Sequence, residues 1–296
     1  MDFAGLAYDI FQGGSFLLLF LAIFIISKWL LDLFTPFSLD ENLTGKDNFA
    51  LGISVSGYLA GVTIIFIGAT IGPSHGLFND LISVGEYSVL GLLLLNAARK
   101  INDKFTFHKF SVRKEILEDK NAGTGIVVLG AYISSALVIA GAVHGEVKLN
   151  GSEGGGWESG MYGVFSAISF FLIGQLALIL FSKIYEAVTP YSFHNEIEND
   201  NVAAGMGFSG GMIAIGLIIM KAISGDLISW KQQLFGLGLD LLLIFVLLIF
   251  IRFIFDKLII PQHDLSDEIK KDKNLAAGIL EMTVSICFAC VIYFLM

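Results

Sequence analysis

The sequence predicts an all-α integral membrane protein: eight transmembrane helices, arranged as four two-helix repeats in two parallel, pseudo-equivalent halves. Three observations carry this expectation. The 296 residues are 55% hydrophobic and only 15% charged, with a mean hydropathy of +0.77, which lies outside the range of soluble domains. Eight stretches stay apolar over the roughly 20 residues that a bilayer crossing requires. A short motif also recurs four times, and internal repeats govern architecture.

The motif is an Asn, three small or apolar residues and a Gly: Asn48 to Gly52, Asn121 to Gly125, Asn201 to Gly205 and Asn274 to Gly278. Successive Asn residues are 73, 80 and 73 positions apart, and Asn48 to Asn201 equals Asn121 to Asn274 at 153. The chain therefore divides into halves 1–150 and 151–296, each with two units. The predicted spans are 14–34, 48–71, 82–100, 121–143, 160–186, 201–224, 234–257 and 274–296. With an even number of spans per half, both halves share one orientation about an axis along the membrane normal.

The first span is built of Leu, Phe and Ile and stops at Thr35-Pro36, as the fifth stops at Thr189-Pro190; proline ends a helix there. The linkers from odd to even spans, with the adjoining helix ends, hold all but three of the 18 Lys and Arg, the exceptions being Lys148, Lys221 and Lys231. By the positive-inside rule these linkers face the cytoplasm and both termini the opposite side. The acidic start, Asp2 and Asp9, lacks the basic region of a cleaved signal. The second, fourth and sixth spans are rich in glycine, with Gly57/Gly61, Gly68/Gly72 and Gly141/Gly145 four apart. Small residues let helices approach closely in lipid, so the even spans are expected to pack centrally and the odd ones to meet lipid. The eighth, with Gly278 alone, departs from this pattern.

Each repeated Asn (Asn48, Asn121, Asn201, Asn274) follows an acidic stretch and opens an apolar run, which is how a helix N-terminus is capped. Capping accounts for all four; a vestibule for an anion or substrate, formed by converging helix starts, is the sharper alternative. Deeper in the spans lie Glu86, Asp240, Lys221, Glu281 and Arg252, with Asn96 and Gln175 as uncharged polar groups. An ionisable group at a helix centre costs about 2.5–3.5 kcal/mol on insertion scales, so each is a permeation candidate unless it pairs. Glu281 with Arg252 and Asp240 with Lys221 are the expected pairs. Glu86 and Asp240 occupy nearly equivalent places in the two halves and would form a weak outer cation site on a shared aqueous path. Ser134, Ser135, Ser209, Met206 and Tyr58 read as helix contacts.

Cys287 and Cys290, three apart in an apolar run, read as packing residues. No metal-ligand spacing, catalytic triad or phosphate loop appears, so neither an enzyme nor a cofactor or metal is expected. Every loop is short and the net charge is −9; no soluble domain and no nucleic-acid partner is expected.

Thr189-Pro190, His194-Asn195-Glu196, Asn199 to Ala204, Phe208-Ser209-Gly210 and Asn274 to Gly278 resemble the YjfL-type bacterial inner-membrane proteins, whose repeat is domain of unknown function 350. The likeness covers the whole chain as two tandem halves, with Lys120 and Leu51 departing from the usual residues. It implies a bacterial plasma membrane, a link with membrane stress, and no assigned reaction or catalytic residue. Together these readings favour a small-solute or ion transporter or channel in the inner membrane. The alternative is a membrane scaffold that recruits a peripheral cytoplasmic protein through its basic linkers. The lipid bilayer is the certain partner, and a homo-oligomer is left open.

Overall fold

The computed structural model describes residues 3–145, 147–148, 157–254 and 265–295, and among them every named element is helical. The long helices are α1 (Phe3–Phe34), α2 (Phe49–Thr70), α3 (Leu77–Ile101), α5 (Ala122–Ala142), α6 (Trp157–Val188), α8 (Val202–Ile223), α9 (Trp230–Ile254) and α11 (Leu275–Leu295). Short helices α4 (Val112–Leu117), α7 (Phe193–Glu198) and α10 (Leu265–Lys270) precede α5, α8 and α11, and a π-helical turn, Glu41–Gly45, takes their place before α2. A second π-helical turn, Asn102–Thr106, extends α3. Seven helices are long and apolar enough to cross a membrane among the described residues; α9 is the eighth long helix and is not one of those seven.

α2, α5, α8 and α11 lie side by side in one row. α1, α3, α6 and α9 form a second row laid over the first: α3 touches α2 and α5, α6 touches α5 and α8, and α9 touches α8 and α11. The first row closes so tightly because of what is missing from it. A Cβ on Gly57 would lie 2.5 Å from the Leu129 Cα, one on Gly130 2.6 Å from the Ser209 Cβ, and one on Gly210 2.5 Å from the Met282 Cα. Backbones approach here to distances that any larger residue forbids, which replaces the hydrophobic drive that lipid does not supply. The Ser209 hydroxyl uses the approach to donate across the interface to the Ile126 carbonyl at 2.9 Å.

Only the middle of the row is central. The apolar windows of α5 and α8 are 78% and 83% buried, those of α1 and α11 17% and 28%. The expectation that the glycine-rich even spans pack centrally needs correction for α2, 50% buried, which ends the row with one face uncovered; α11, the eighth span that departed from the glycine pattern, ends it on the other side. Gly57, Gly68, Gly125, Gly130, Gly141, Gly205, Gly210 and Gly216 are closed against a neighbouring inner helix, so among the described residues the inner helices leave no gap at these positions.

The halves are clasped at the linker end. His194, buried on α7, places Nδ1 3.0 Å from Glu186 Oε2 and Nε2 2.9 Å from the Thr106 carbonyl. Glu186 also accepts from Lys109 at 2.9 Å and Ser192 at 3.0 Å. Burial pushes the His194 imidazole below its ordinary value, while Thr106 and Glu186 pull it back.

Candidate functional site: a polar seam between the helix rows

At the linker end the repeated Asn residues do more than cap. The side-chain oxygen of Asn48, Asn121 and Asn201 accepts from the amide three residues on, at 3.0, 2.7 and 3.2 Å. Their amide groups then reach into the next unit and donate to the carbonyls of Ile116, Ile197 and Ile269 at 2.7, 2.7 and 2.8 Å. Asn121, Asn201 and Asn274 also donate to Glu115, Glu196 and Glu268 of their own short helices. Asp47, Lys120, Asp200 and Lys273, each just before the Asn, all have left-handed backbones, with φ of 45, 51, 54 and 47°. The first three helix starts thus form a satisfied, buried ladder, and the half-buried Asn274 ends it. They do not converge on a vestibule.

The ionisable candidates separate. Glu86 is exposed on the outward stripe of α3 with Phe78, Ile82, Val89 and Leu93. Asp240 lies 4.0 Å from Lys221, the expected pair, at the loose limit of an ion pair. No contact joins Glu86 to Asp240 among the described residues. Glu281 is buried with its carboxylate over Gly207, beside the Tyr185 hydroxyl; the Arg252 side chain lies outside the described residues. Gln175 is 2% exposed, and neither end of its amide has a hydrogen-bond partner among the described residues.

What the structure does bring together lies along the seam where α3 meets α2 and α5. A cavity of about 390 Å³ opens at the end opposite the linkers, lined by Gln12, Ser83, Tyr87, His144 and Ser166 and by the turn carrying Ser74 and His75. Asp80 holds that turn, accepting from the Ser74 hydroxyl at 2.6 Å and the His75 amide at 2.8 Å. Burial pushes His144 below the usual imidazole value, partly offset by Asp226. At the linker end a smaller cavity, about 90 Å³, is lined by Tyr58, Tyr132, Arg99, Asp103 and Arg113. Tyr58 donates to the Ser27 carbonyl at 3.0 Å and meets Tyr132 edge-on with centroids 5.4 Å apart. Arg99 donates to the Phe34 carbonyl at 3.1 Å.

Between the cavities stands an apolar layer of Ile65, Leu92, Leu95 and Ile139, each at most 1% exposed, with Gly91 pressed against Ile65. Two polar atoms are buried at its edges without partners among the described residues: Ser88 Oγ and Asn96 Oδ1. Asn96 donates to the Leu92 carbonyl at 2.9 Å and Tyr58 at 3.3 Å. Each unpaired buried polar atom costs about 1–3 kcal/mol, and such atoms in a native fold call for an explanation. Of these residues Asn96 is recognisable from the sequence as a candidate, whereas Ser88, His144, Arg99 and Asp103 are not. A lone Ser in an apolar window carries no periodic signal, and His144 lies in a turn whose neighbours come from distant spans.

Fold and seam together define a multi-pass, all-α membrane protein made of tandem repeats. The model of the family described as Domain of Unknown Function (DUF350) matches residues 5–143 and 159–296, and the chain belongs to this family. It is 23% identical over 275 residues to a UPF0719 transmembrane protein of Aquifex aeolicus (strain VF5), covering 92% of this chain and 95% of that one. It is 28% identical over 130 residues to the UPF0719 transmembrane protein YshE of Bacillus subtilis (strain 168), covering 44% of this chain and 90% of that one. The second relative is thus matched by about half of this chain, as a tandem duplication requires. No solved structure matches the chain.

Proposed function

We propose that the protein passes a small polar solute or an ion across a bacterial inner membrane along the α2–α3–α5 seam, and that the structure represents an occluded state. The observation that carries this reading is a pair of cavities on opposite sides of one thin apolar layer, the wide one polar and the small one largely apolar with Arg99, Asp103 and Arg113 in its wall, and with Ser88 Oγ and Asn96 Oδ1 lacking partners among the described residues at the layer's edges. Buried polar groups in a membrane protein face pathways or partners, and a packed layer switches between discrete arrangements instead of deforming continuously. The wide cavity faces the non-cytoplasmic side, since the Lys- and Arg-rich linkers lie at the other end.

The scaffold alternative gains no specific support. Several linker cations are engaged within the chain: Lys109 with Glu186 at 2.9 Å, Lys114 with Asp119 at 2.8 Å, and Lys120 with the Lys46 carbonyl at 2.6 Å.

The test is permeation in proteoliposomes, monitored by swelling with urea and glycerol and by dyes for H⁺, Na⁺ and K⁺. At least one probe should pass faster than through empty liposomes, and Ser88→Leu, which thickens the apolar layer, should abolish that flux with the fold intact. No probe passing, or a flux indifferent to Ser88→Leu, would sink the proposal.

A further inference from the structure

We infer that the row of inner helices continues into a second copy of this chain, with α11 of one protomer packing against α2 of the next. This inference stands apart from the transport reading and rests on the register of the three interfaces inside the chain.

Counted from the repeated Asn, the contacts fall at constant positions. The second residue after one Asn faces the fourth after the next: Ala50 with Gly125, Gly123 with Gly205, and Ala203 with Gly278. The ninth faces the eighth: Gly57 with Leu129, Gly130 with Ser209, and Gly210 with Met282. The thirteenth faces the fifteenth, as in Gly61 with Ala136 and Ser134 with Gly216, and the twentieth faces the nineteenth, as in Gly68 with Ala140 and Gly141 with Met220. On α11 the same onward positions are Ala276, Thr283, Cys287 and Phe294, and all four are exposed. On α2 the receiving positions are Gly52, Ser56, Thr63 and Ile67, all of them exposed or half-buried.

Gly52 makes the point sharpest. In the other three units the equivalent glycine is compulsory, because a Cβ would sit 2.6, 2.9 and 2.6 Å from a carbonyl oxygen of the preceding inner helix. At Gly52 a Cβ would meet only the Leu43 side chain, at 4.0 Å. Nothing among the described residues requires that glycine; an incoming α11 does.

A polar feature of the ladder points the same way. The residue before the Asn alternates Asp47, Lys120, Asp200, Lys273, all with left-handed backbones. Lys120 and Lys273 each donate to a carbonyl of the preceding unit, those of Lys46 and Asn199, both at 2.6 Å. Asp200 instead accepts from the Gly123 amide at the start of the preceding helix, at 3.0 Å. Asp47 shares that conformation and has no hydrogen bond or ion pair among the described residues. The amide equivalent to that of Gly123 in the fourth unit is Ala276, and at a junction between the fourth unit and another copy's first unit Asp47 would take the place of Asp200. The inner helices all run the same way, so the operator is a rotation about the membrane normal, and the contact is head-to-tail in the bilayer plane.

The test uses the full chain in native membranes with Cys290→Ala, Cys287 retained and Thr63→Cys added, oxidised with copper phenanthroline. Mass measurement in native nanodiscs supplies a second readout. The expected result is a series of disulfide-linked oligomers that requires both thiols and is lost on adding Gly52→Leu or Asp47→Asn, neither of which alters the thermal melt of the single protomer. A single-copy mass in nanodiscs means that lipid covers these faces and overturns the inference. Cross-linking by Cys287 alone means a two-fold contact through α11. An oligomeric mass without a link between Cys287 and the thiol introduced by Thr63→Cys means another interface; either of these results overturns it as well.

Discussion

Asn121 caps α5, ties back to Glu115 and reaches forward to the Ile197 carbonyl, so one amide side chain fixes a helix start and its distance from the next unit. Losing the cap costs about 1 kcal/mol and each further hydrogen bond about 1 kcal/mol more. Asn121→Ala should therefore destabilise the protein by roughly 2–4 kcal/mol in reversible detergent unfolding. Asn274→Ala should cost less in a single protomer, because among the described residues the Asn274 amide donates to Glu268 and to no carbonyl of another unit. Equal losses would show that the carbonyl contacts contribute nothing.

The cap was legible in the sequence, since Asn before an apolar run needs only local chemistry. The carbonyl partners were not, because they lie some 70 residues away, and neither were the left-handed backbones at the residue before each Asn, since Asp visits that region only occasionally and Lys has no preference for it. A second residue-scale expectation concerns pH. With its folded-state value held below the ordinary imidazole value of about 6.5, His144 disfavours proton uptake in the folded state. Stability is then intact above that value and falls as pH drops below it. Melting temperature should decline between about pH 7 and pH 5, and His144→Gln should flatten the decline; an unchanged slope in the variant would assign the effect elsewhere.

Among the elements, the inner row depends on absent side chains. Gly130→Leu would drive a side chain into Ser209, and overpacking of this kind costs about 1–3 kcal/mol or more. It should yield a protein that unfolds or aggregates on extraction, whereas Gly236→Leu, with open space around the glycine, should extract normally. Failure of both, or of neither, would separate the row's integrity from its glycines. The glycine content announced close helix packing correctly, yet it could not say that α5 and α8 are covered while α2 and α11 end the row. Position in a row is decided by the order of docking, to which composition is blind. Of the two expectations for Asp240, the structure shows the Lys221 neighbour at 4.0 Å, while Glu86 is exposed on α3; equal depth along two helices does not by itself put two side chains on facing surfaces.

At the scale of the whole molecule, eight apolar windows and a fourfold motif sufficed for the class and the tandem halves. The cavities did not show, because each is lined by residues from several helices that are scattered along the chain. The seam reading makes its plainest demand on access to α3. In a chain with Cys287 and Cys290 replaced by Ser, single cysteines at Ser83, Leu92 and Asp103 should be probed with a membrane-impermeant thiol reagent from each side in turn. Ser83→Cys should react only from the side of the wide cavity and Asp103→Cys only from the linker side, while Leu92→Cys, in the apolar layer, should react from neither. Labelling of Ser83→Cys and Asp103→Cys from one side, or free labelling of Leu92→Cys, would contradict the occluded seam.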